Sequence, residues 1–393
     1  MDRDAGEIRG HEAIQPQPSD TLRSCPQGPR DASDLRRKVV DVQPTFASDN
    51  YAGAHPEVLA ALADVGAGHA RAYGADPWTT RLGEVVQRHF GQQALAYPVF
   101  NGTGANVVSL MSMLPRWGAV ITSRYAHIEN DENAAPERVG GLKLLTVDTP
   151  DGKLTPERID EQAWGWGDQH RAQPLAVSLT QSTELGTVYT PDEIRAITTH
   201  CHERGMRVHM DGARIANAAA ALGTSLRGIT TDVGVDVLSF GGTKNGLVLG
   251  EAVVVLDPDA VDGVDYIRKM TMQLSSKMRF VSAQLLAILD GDLWLRSAAR
   301  ANAMARRLRS RLDLMIEEGQ APGLSFSQPT ESNGLFAVLP RAAADRVREQ
   351  FAFYDWDAAR GEVRWMCAFD TTEEDVDTFA EAIGRELRAE RDA

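Results

Sequence analysis

From about residue 41 onward, short apolar runs rich in β-branched residues alternate with stretches of helical periodicity. The runs fall at 96–100, 119–123, 142–147, 175–180, 206–210, 235–240 and 252–256. Between them, Leu82, Val85, Val86 and Phe90 recur at helical spacing, as do Val107, Val108, Met111 and Leu114, and again Ile194, Ile197 and Cys201. Seven runs separated in this way predict an α/β fold. Its core would be a large, mostly parallel seven-stranded sheet covered by helices on both faces. Ligands meet such sheets outside the carboxyl ends of the strands. This large domain is expected over residues 41–290. The remainder, 291–393, predicts a small α+β domain: an amphipathic helix near 298–318, strand-like runs at "GLFAVLP" and "EVRWMCAF", and a final helix at "EEDVDTFAEAIGREL".

Residues 1–40 differ. They are rich in proline, glycine and charge and lack apolar periodicity, which predicts a disordered extension. Arg36 and Arg37 precede no apolar segment of the kind an export signal needs. The formal net charge is -14 and no basic run occurs, which argues against nucleic acid or an anionic membrane as partner. No apolar stretch approaches the length of a membrane span. Cys25, Cys201 and Cys367 are widely spaced and form neither a disulfide framework nor a zinc pattern. A cytoplasmic protein is expected.

The chemistry collects at the predicted strand ends. The strand in "MRVHM" runs into Asp211 and "GARIANAA". The strand in "VDVLSF" runs into "GGTKNG", with Lys244 among glycines that would leave space for a bulky ligand and allow the turn that aims the lysine. The strand in "AYPVF" runs into "NGTGANVVSL", a glycine-rich turn opening a helix whose free N–H groups and positive dipole suit a phosphate. Each feature alone has a plainer reading: a surface lysine, an aspartate capping the next helix, an ordinary turn. Together, a lysine for a Schiff base, an aspartate for a pyridinium nitrogen and a phosphate cup describe pyridoxal 5'-phosphate. His200 and His202 lie two apart on a predicted helix, so they point apart and are read as structural.

With these residues in view, the chain strongly resembles the low-specificity L-threonine aldolases, or β-eliminating lyases. These are pyridoxal-phosphate enzymes of fold type I, the aspartate-aminotransferase-like fold. The matching stretches include "FASDNYAGAHPEVL", "RAYGADPWT", "NGTGAN", "AHIENDENAAPE", "LTQSTELGTVYTPDE", "HMDGARIANAA", "VDVLSFGGTKNG" and "SSKMRF", covering most of 46–280. One departure is Asn133 and Ala134, where the family pattern has a cysteine and a glycine.

The resemblance implies roles. Lys244 would hold the cofactor and Asp211 would pair its ring nitrogen. Gly102, Thr103 and Gly104 would cup the phosphate. His127 would stack on the ring and help to deprotonate the substrate hydroxyl. Arg214 would grip a carboxylate or the ring oxygen, and Ser48 and Arg364 the substrate carboxylate. Arg279 would reach a phosphate and Tyr73 a partner's site, in a homodimer or homotetramer. No metal ligand set is implied. The implied reaction is retro-aldol cleavage of L-threonine, L-allo-threonine and related β-hydroxy-α-amino acids to glycine and an aldehyde. A β-eliminating lyase or aminotransferase of the same fold, or a non-catalytic cofactor-binding regulator, would use the same cofactor residues.

Borohydride reduction of the purified yellow protein should fix a pyridoxyl group on Lys244, read by peptide mass spectrometry. Label on Lys269 or Lys277 would overturn that assignment.

Overall fold

The computed structural model describes residues 45–392. The disordered extension expected over 1–40 lies outside the described residues. Seven strands form one sheet: β1 (Leu95–Val99), β2 (Gly118–Ser123), β3 (Lys143–Val147), β4 (Gln173–Thr180), β5 (Arg207–Gly212), β6 (Val237–Phe240) and β7 (Glu251–Val255). All seven apolar runs of the sequence are strands here, with ends shifted by one or two residues. Their spatial order is β1-β7-β6-β5-β4-β2-β3. β4 and β5, β5 and β6, and β2 with both of its neighbours pair in parallel. β7 runs antiparallel to both β1 and β6.

Strand alternation sends successive side chains to opposite faces. Ile121, Val177, Val208, Met210, Leu238 and Val254 enter the core on one face, where the helices Pro77–Phe90 and Pro191–His202 pack. Val120, Ala176, Val237, Val253 and Val255 enter the core on the other face, beneath the helix Gly102–Met113. Leu82, Val85, Val86 and Phe90 are buried, as are Ile194, Ile197 and Cys201, so the helical spacing did report the inward stripes. The parity of β5 has a further result. Val208 and Met210 serve the first core, so His209 and Asp211 must face the helix Gly102–Met113.

A second sheet, β10 (Tyr354–Asp357), β11 (Glu362–Met366), β9 (Gly334–Val338) and β8 (Ser325–Phe326), is antiparallel throughout. Its core centres on Trp365 and Phe379, with Phe46 stacked on Phe379 at 4.0 Å. The helix Leu293–Glu317 serves both cores. Leu293, Trp294 and Ala298 pack with the large sheet, and Ala305, Leu308 and Leu312 with the small one. The chain around Phe46 is tied to the small sheet by backbone bonds: its N–H donates to Ala352 O and its carbonyl accepts from Met366 N. That anchor delivers Ser48 and Asp49 to the junction of the two sheets.

Asn133 and Ala134 both have left-handed backbone, with φ of 48° and 58°. Asparagine tolerates this conformation and alanine does so at a cost of roughly 1–2 kcal/mol. The glycine of the family pattern would sit at Ala134 without strain. Neither residue lines the cavity bounded by Lys244 and Asp211.

Candidate active site

Three strand ends and one helix start meet around a cavity of about 370 Å³. That volume falls in the range of roughly 300–1,000 Å³ typical of small-molecule and cofactor sites. Gly102, Thr103, His127, Asp211 and Lys244 all line it, with Asn50, Phe100, Ser239 and Glu251.

Asp211 ends the buried strand β5. Its Oδ1 accepts from the Ala213 N–H at 2.9 Å and its Oδ2 from Asn106 Nδ2 at 2.8 Å. It does not cap the following helix, Ile215–Leu222, which has Arg214 at its N-cap position and no side-chain cap. Two residues back on the same face, His209 is fully buried between Ser178 and Ser239, at 2.9 Å from each hydroxyl. Burial pushes its imidazole down to about 4, so it is neutral.

Lys244 lies in the short 3-10 turn Thr243–Asn245 after β6. Burial lowers its ammonium pKa and nearby Arg214 lowers it further, against the pull of Asp49, Asp211 and Glu251. A lowered pKa makes the free amine, the nucleophilic form, more available near neutral pH. The glycines around it work differently from what the sequence suggested. A Cβ at Gly241 would lie 2.5 Å from Ala213 O, and one at Gly242 would collide with Leu247. They admit the protein's own chain rather than leave room for a cofactor. Gly246, at φ +106°, makes the turn. Glu251 accepts from the Gly242 N–H and from Thr243, and burial pushes its carboxyl up to about 7.

The helix Gly102–Met113 opens onto the cavity through Gly102 and Thr103. Gly104 is not part of this opening. Its N–H is taken by the Asn101 side chain at 2.8 Å, and a Cβ there would collide with the Gln273 side chain. Of the three residues expected to cup a phosphate, Gly102 and Thr103 line the cavity and Gly104 does not.

Arg214 does not line the cavity. It sits beside it, with Nε and Nη2 on the two oxygens of Asp49 at 2.7 and 2.8 Å. Asp49 is buried and also accepts from Asn333 Nδ2 at 3.0 Å. Burial alone would raise its pKa, but the Arg214 guanidinium, together with Lys244 and the Asn333 amide, holds it below the usual carboxylate range. Arg364, on β11, does not line the cavity either; it lies over the Trp356 ring at 5.3 Å, and its buried Nε has no hydrogen-bond partner among the described residues. Burial and then Arg214 lower its pKa. The Ser48 hydroxyl accepts from Asn50 N at 3.2 Å. Two further expected residues lie outside this chain's own cavity. Tyr73 is 54% exposed, with Lys269 over its ring at 5.2 Å. Arg279 reaches Gly68 O at 3.3 Å. His200 and His202 pair separately, with Asp160 and with Asp236.

Sequence reasoning gave no role to Asp49, Asn106, Glu132 or Glu184. Glu132 holds His127 Nδ1 at 2.9 Å, and Glu184 accepts the His127 backbone N–H at 2.8 Å. Burial pushes the Glu184 carboxyl up to about 7. Asp49, Glu132 and Glu184 all stand inside the matched motifs. Only their burial, which a sequence does not display, sets them apart from surface acids.

Pyridoxal phosphate requires an amine, an acid for the ring nitrogen and donors for the phosphate. Lys244, Asp211 and the start of the helix at Gly102 and Thr103 offer these around one cavity. The residues fit the group. Fold and site define a pyridoxal-phosphate enzyme of fold type I. The β-eliminating lyase family model matches residues 45–322, and the chain belongs to that family. It is 43% identical over 347 residues to a low specificity L-threonine aldolase of Pseudomonas aeruginosa, covering 88% of this chain and 98% of that one. A Saccharomyces cerevisiae protein of the same description is 27% identical over 317 residues, 79% of this chain and 78% of its own length. The solved threonine aldolase of Leishmania major superposes with a TM-score of 0.81 at 26% identity, covering 88% of this chain and 99% of that one.

Asp49→Ala should destabilise the protein by about 3–5 kcal/mol in urea unfolding at pH 7, because it strands the buried Arg214 guanidinium. The folded pKa of Asp49 is depressed. Its contribution is therefore present above about pH 4 and lost as pH falls through the lower folded value. The gap between wild type and variant should narrow on acidification. Equal stabilities at pH 7 would show that the pair carries no such load.

Proposed function

We propose that this chain cleaves L-threonine, L-allo-threonine and related β-hydroxy-α-amino acids to glycine and an aldehyde. The observation that carries the reading is the meeting of Lys244, Asp211 and His127 on one cavity, in a chain so similar to a low specificity L-threonine aldolase along nearly its whole length. When bound, pyridoxal phosphate supplies an electron sink for the pair released as Cα–Cβ breaks. The protein's own residues do the rest. Lys244 would hold the cofactor, and the Asp211 carboxylate would face its ring nitrogen. The Gly102 and Thr103 N–H groups would take the phosphate. His127 would stack on the ring and accept the proton of the β-hydroxyl.

Arg364, with the Arg214 Nη1 that Asp49 leaves over and with Ser48, would grip the substrate carboxylate. Electrostatics support this. After burial, Arg214 is the largest cause lowering the pKa of both Lys244 and Arg364, so an added carboxylate relieves that repulsion. A bound carboxylate fixed at two points also orients the bond to be broken, the kind of positioning that lowers a barrier without new chemistry.

We also propose a homodimer or homotetramer in the cytoplasm. Val248 and Leu249 stand exposed at the cavity rim, and Tyr266, Met270 and Met272 are exposed in the segment bearing Gln273, whose side chain binds Phe100 N. Such an apolar rim suits a second copy. Arg279 and Tyr73 would serve that copy's site. Cys201 and Cys367, both buried free thiols, suit a reducing compartment.

Incubation with L-threonine should yield acetaldehyde and glycine in equal amounts, read by coupled alcohol dehydrogenase and amino-acid analysis. His127→Phe should keep the cofactor and lose about 10²–10⁴-fold in rate. Ammonia and an α-keto acid instead would mean elimination, and the proposal would fall.

A further inference from the structure

His127 is held at two points. Its backbone N–H donates to Glu184, and its ring Nδ1 lies 2.9 Å from Glu132 Oε1. The Glu132 side chain has no exposed surface. The same Oε1 accepts from Asn106 Nδ2 at 2.8 Å, and that nitrogen also donates to Asp211 Oδ2 at 2.8 Å. An amide nitrogen carries two hydrogens, so both are spent. Three hydrogen bonds thus run unbroken from His127 through Glu132 and Asn106 to Asp211, behind the cavity wall. None of these links is imposed by the fold alone. Glu132 lies five residues past His127, and Asn106 lies on the facing turn of the helix Gly102–Met113.

We infer that Glu132 is a positioning residue that fixes His127 as its Nδ1–H tautomer, leaving Nε2 a bare acceptor for the cavity, and that Asn106 holds Glu132 in place to do so. The inference rests on the reading of His127 as the group that takes the substrate proton. A carboxylate can only accept, so the imidazole nitrogen facing it must carry the hydrogen. In the neutral ring the other nitrogen then carries the lone pair. Without Glu132 the two tautomers would compete, and half or more of the histidine could present a hydrogen where a base is required. Asn106 contributes in a second way. It places one donor on each of two buried carboxylates, Glu132 and Asp211, which would otherwise repel each other with fewer donors between them. The charged or titratable groups facing His127 are Glu132, Glu184, Asp211 and Lys244. The hydrogen bond to Glu132 raises the imidazolium pKa, burial opposes it, and Asp211 adds to the rise while Lys244 opposes it.

The test begins with the unaltered full-length protein, labelled with ¹⁵N-histidine and carrying its cofactor, with the His127 signals assigned by their loss in His127→Phe. Above its titration midpoint, His127 should show a protonated Nδ1 and an unprotonated Nε2. The reverse tautomer would overturn the inference without any further variant. In Glu132→Gln the midpoint should fall, and kcat for L-threonine should drop about 10²-fold, the lower end of what a positioned base supplies, with KM little changed. Glu132→Asp should recover part of both. A lowered kcat with an unmoved midpoint and tautomer would reduce Glu132 to a structural role and overturn the positioning. Asn106→Leu should also lower kcat, and adding Glu132→Gln to it should cost much less than Glu132→Gln alone; additive losses would remove Asn106 from the scheme. A wild type with the Nδ1–H tautomer that cleaves no threonine would leave the positioning intact and sink the proposed reaction, so the two failures are separable.

Discussion

The arrangement depends on placing a carboxylate at the buried end of a parallel strand. Asp211 stands on the face of β5 that meets the helix Gly102–Met113, because Val208 and Met210 are committed to the opposite core. A buried carboxylate without donors would be costly, and this one receives the Ala213 N–H and the Asn106 amide. The adjacent strand β6 leads to Lys244, and β2, one strand further on beyond β4, leads to the short helix that carries His127. The neutral His209 beneath Asp211 keeps the floor polar without adding charge.

A second layer of charge surrounds the first. Arg214 is neutralised by Asp49, which arrives from the N-terminal segment anchored on the small sheet through Phe46. Arg364 arrives from β11 of that same sheet. The junction thus holds two arginines, one of them paired by Asp49. Buried ion pairs rarely stabilise a fold relative to apolar packing, so their presence here is better explained by use. The low specificity L-threonine aldolases that the chain resembles act on an amino acid, whose carboxylate these cations suit.

Much of this was legible in the sequence, for identifiable reasons. β-Branched runs and helical stripes report burial directly, so all seven strands and the principal helices were found. Asp211, Lys244, Gly102, Thr103 and His127 stand at strand ends, where an α/β sheet binds ligands, and the cavity brings them together. The glycines at 241 and 242 were misread, because a missing side chain looks the same whether it admits a ligand or another stretch of backbone. Gly104 does not line the cavity, and its N–H donates to Asn101, one turn earlier, a pairing the sequence did not display. Tyr73 and Arg279 have no contact with the cavity of their own chain. Asp49, Asn106 and Glu132 escaped because their importance lies in pairings across 165, 105 and 26 residues of sequence, which local pattern cannot carry.

The central claim is that the Asp211 carboxylate makes the bound cofactor reactive. Its most direct test is the rate of L-threonine cleavage by Asp211→Asn, expressed per mole of cofactor retained, with retention read from the visible absorption. The asparagine keeps the shape and can still meet Asn106, but it removes the charge. The account predicts a protein that holds the cofactor on Lys244 and cleaves threonine more slowly by about 10²–10³-fold or more. Cleavage at nearly the wild-type rate per bound cofactor would contradict it.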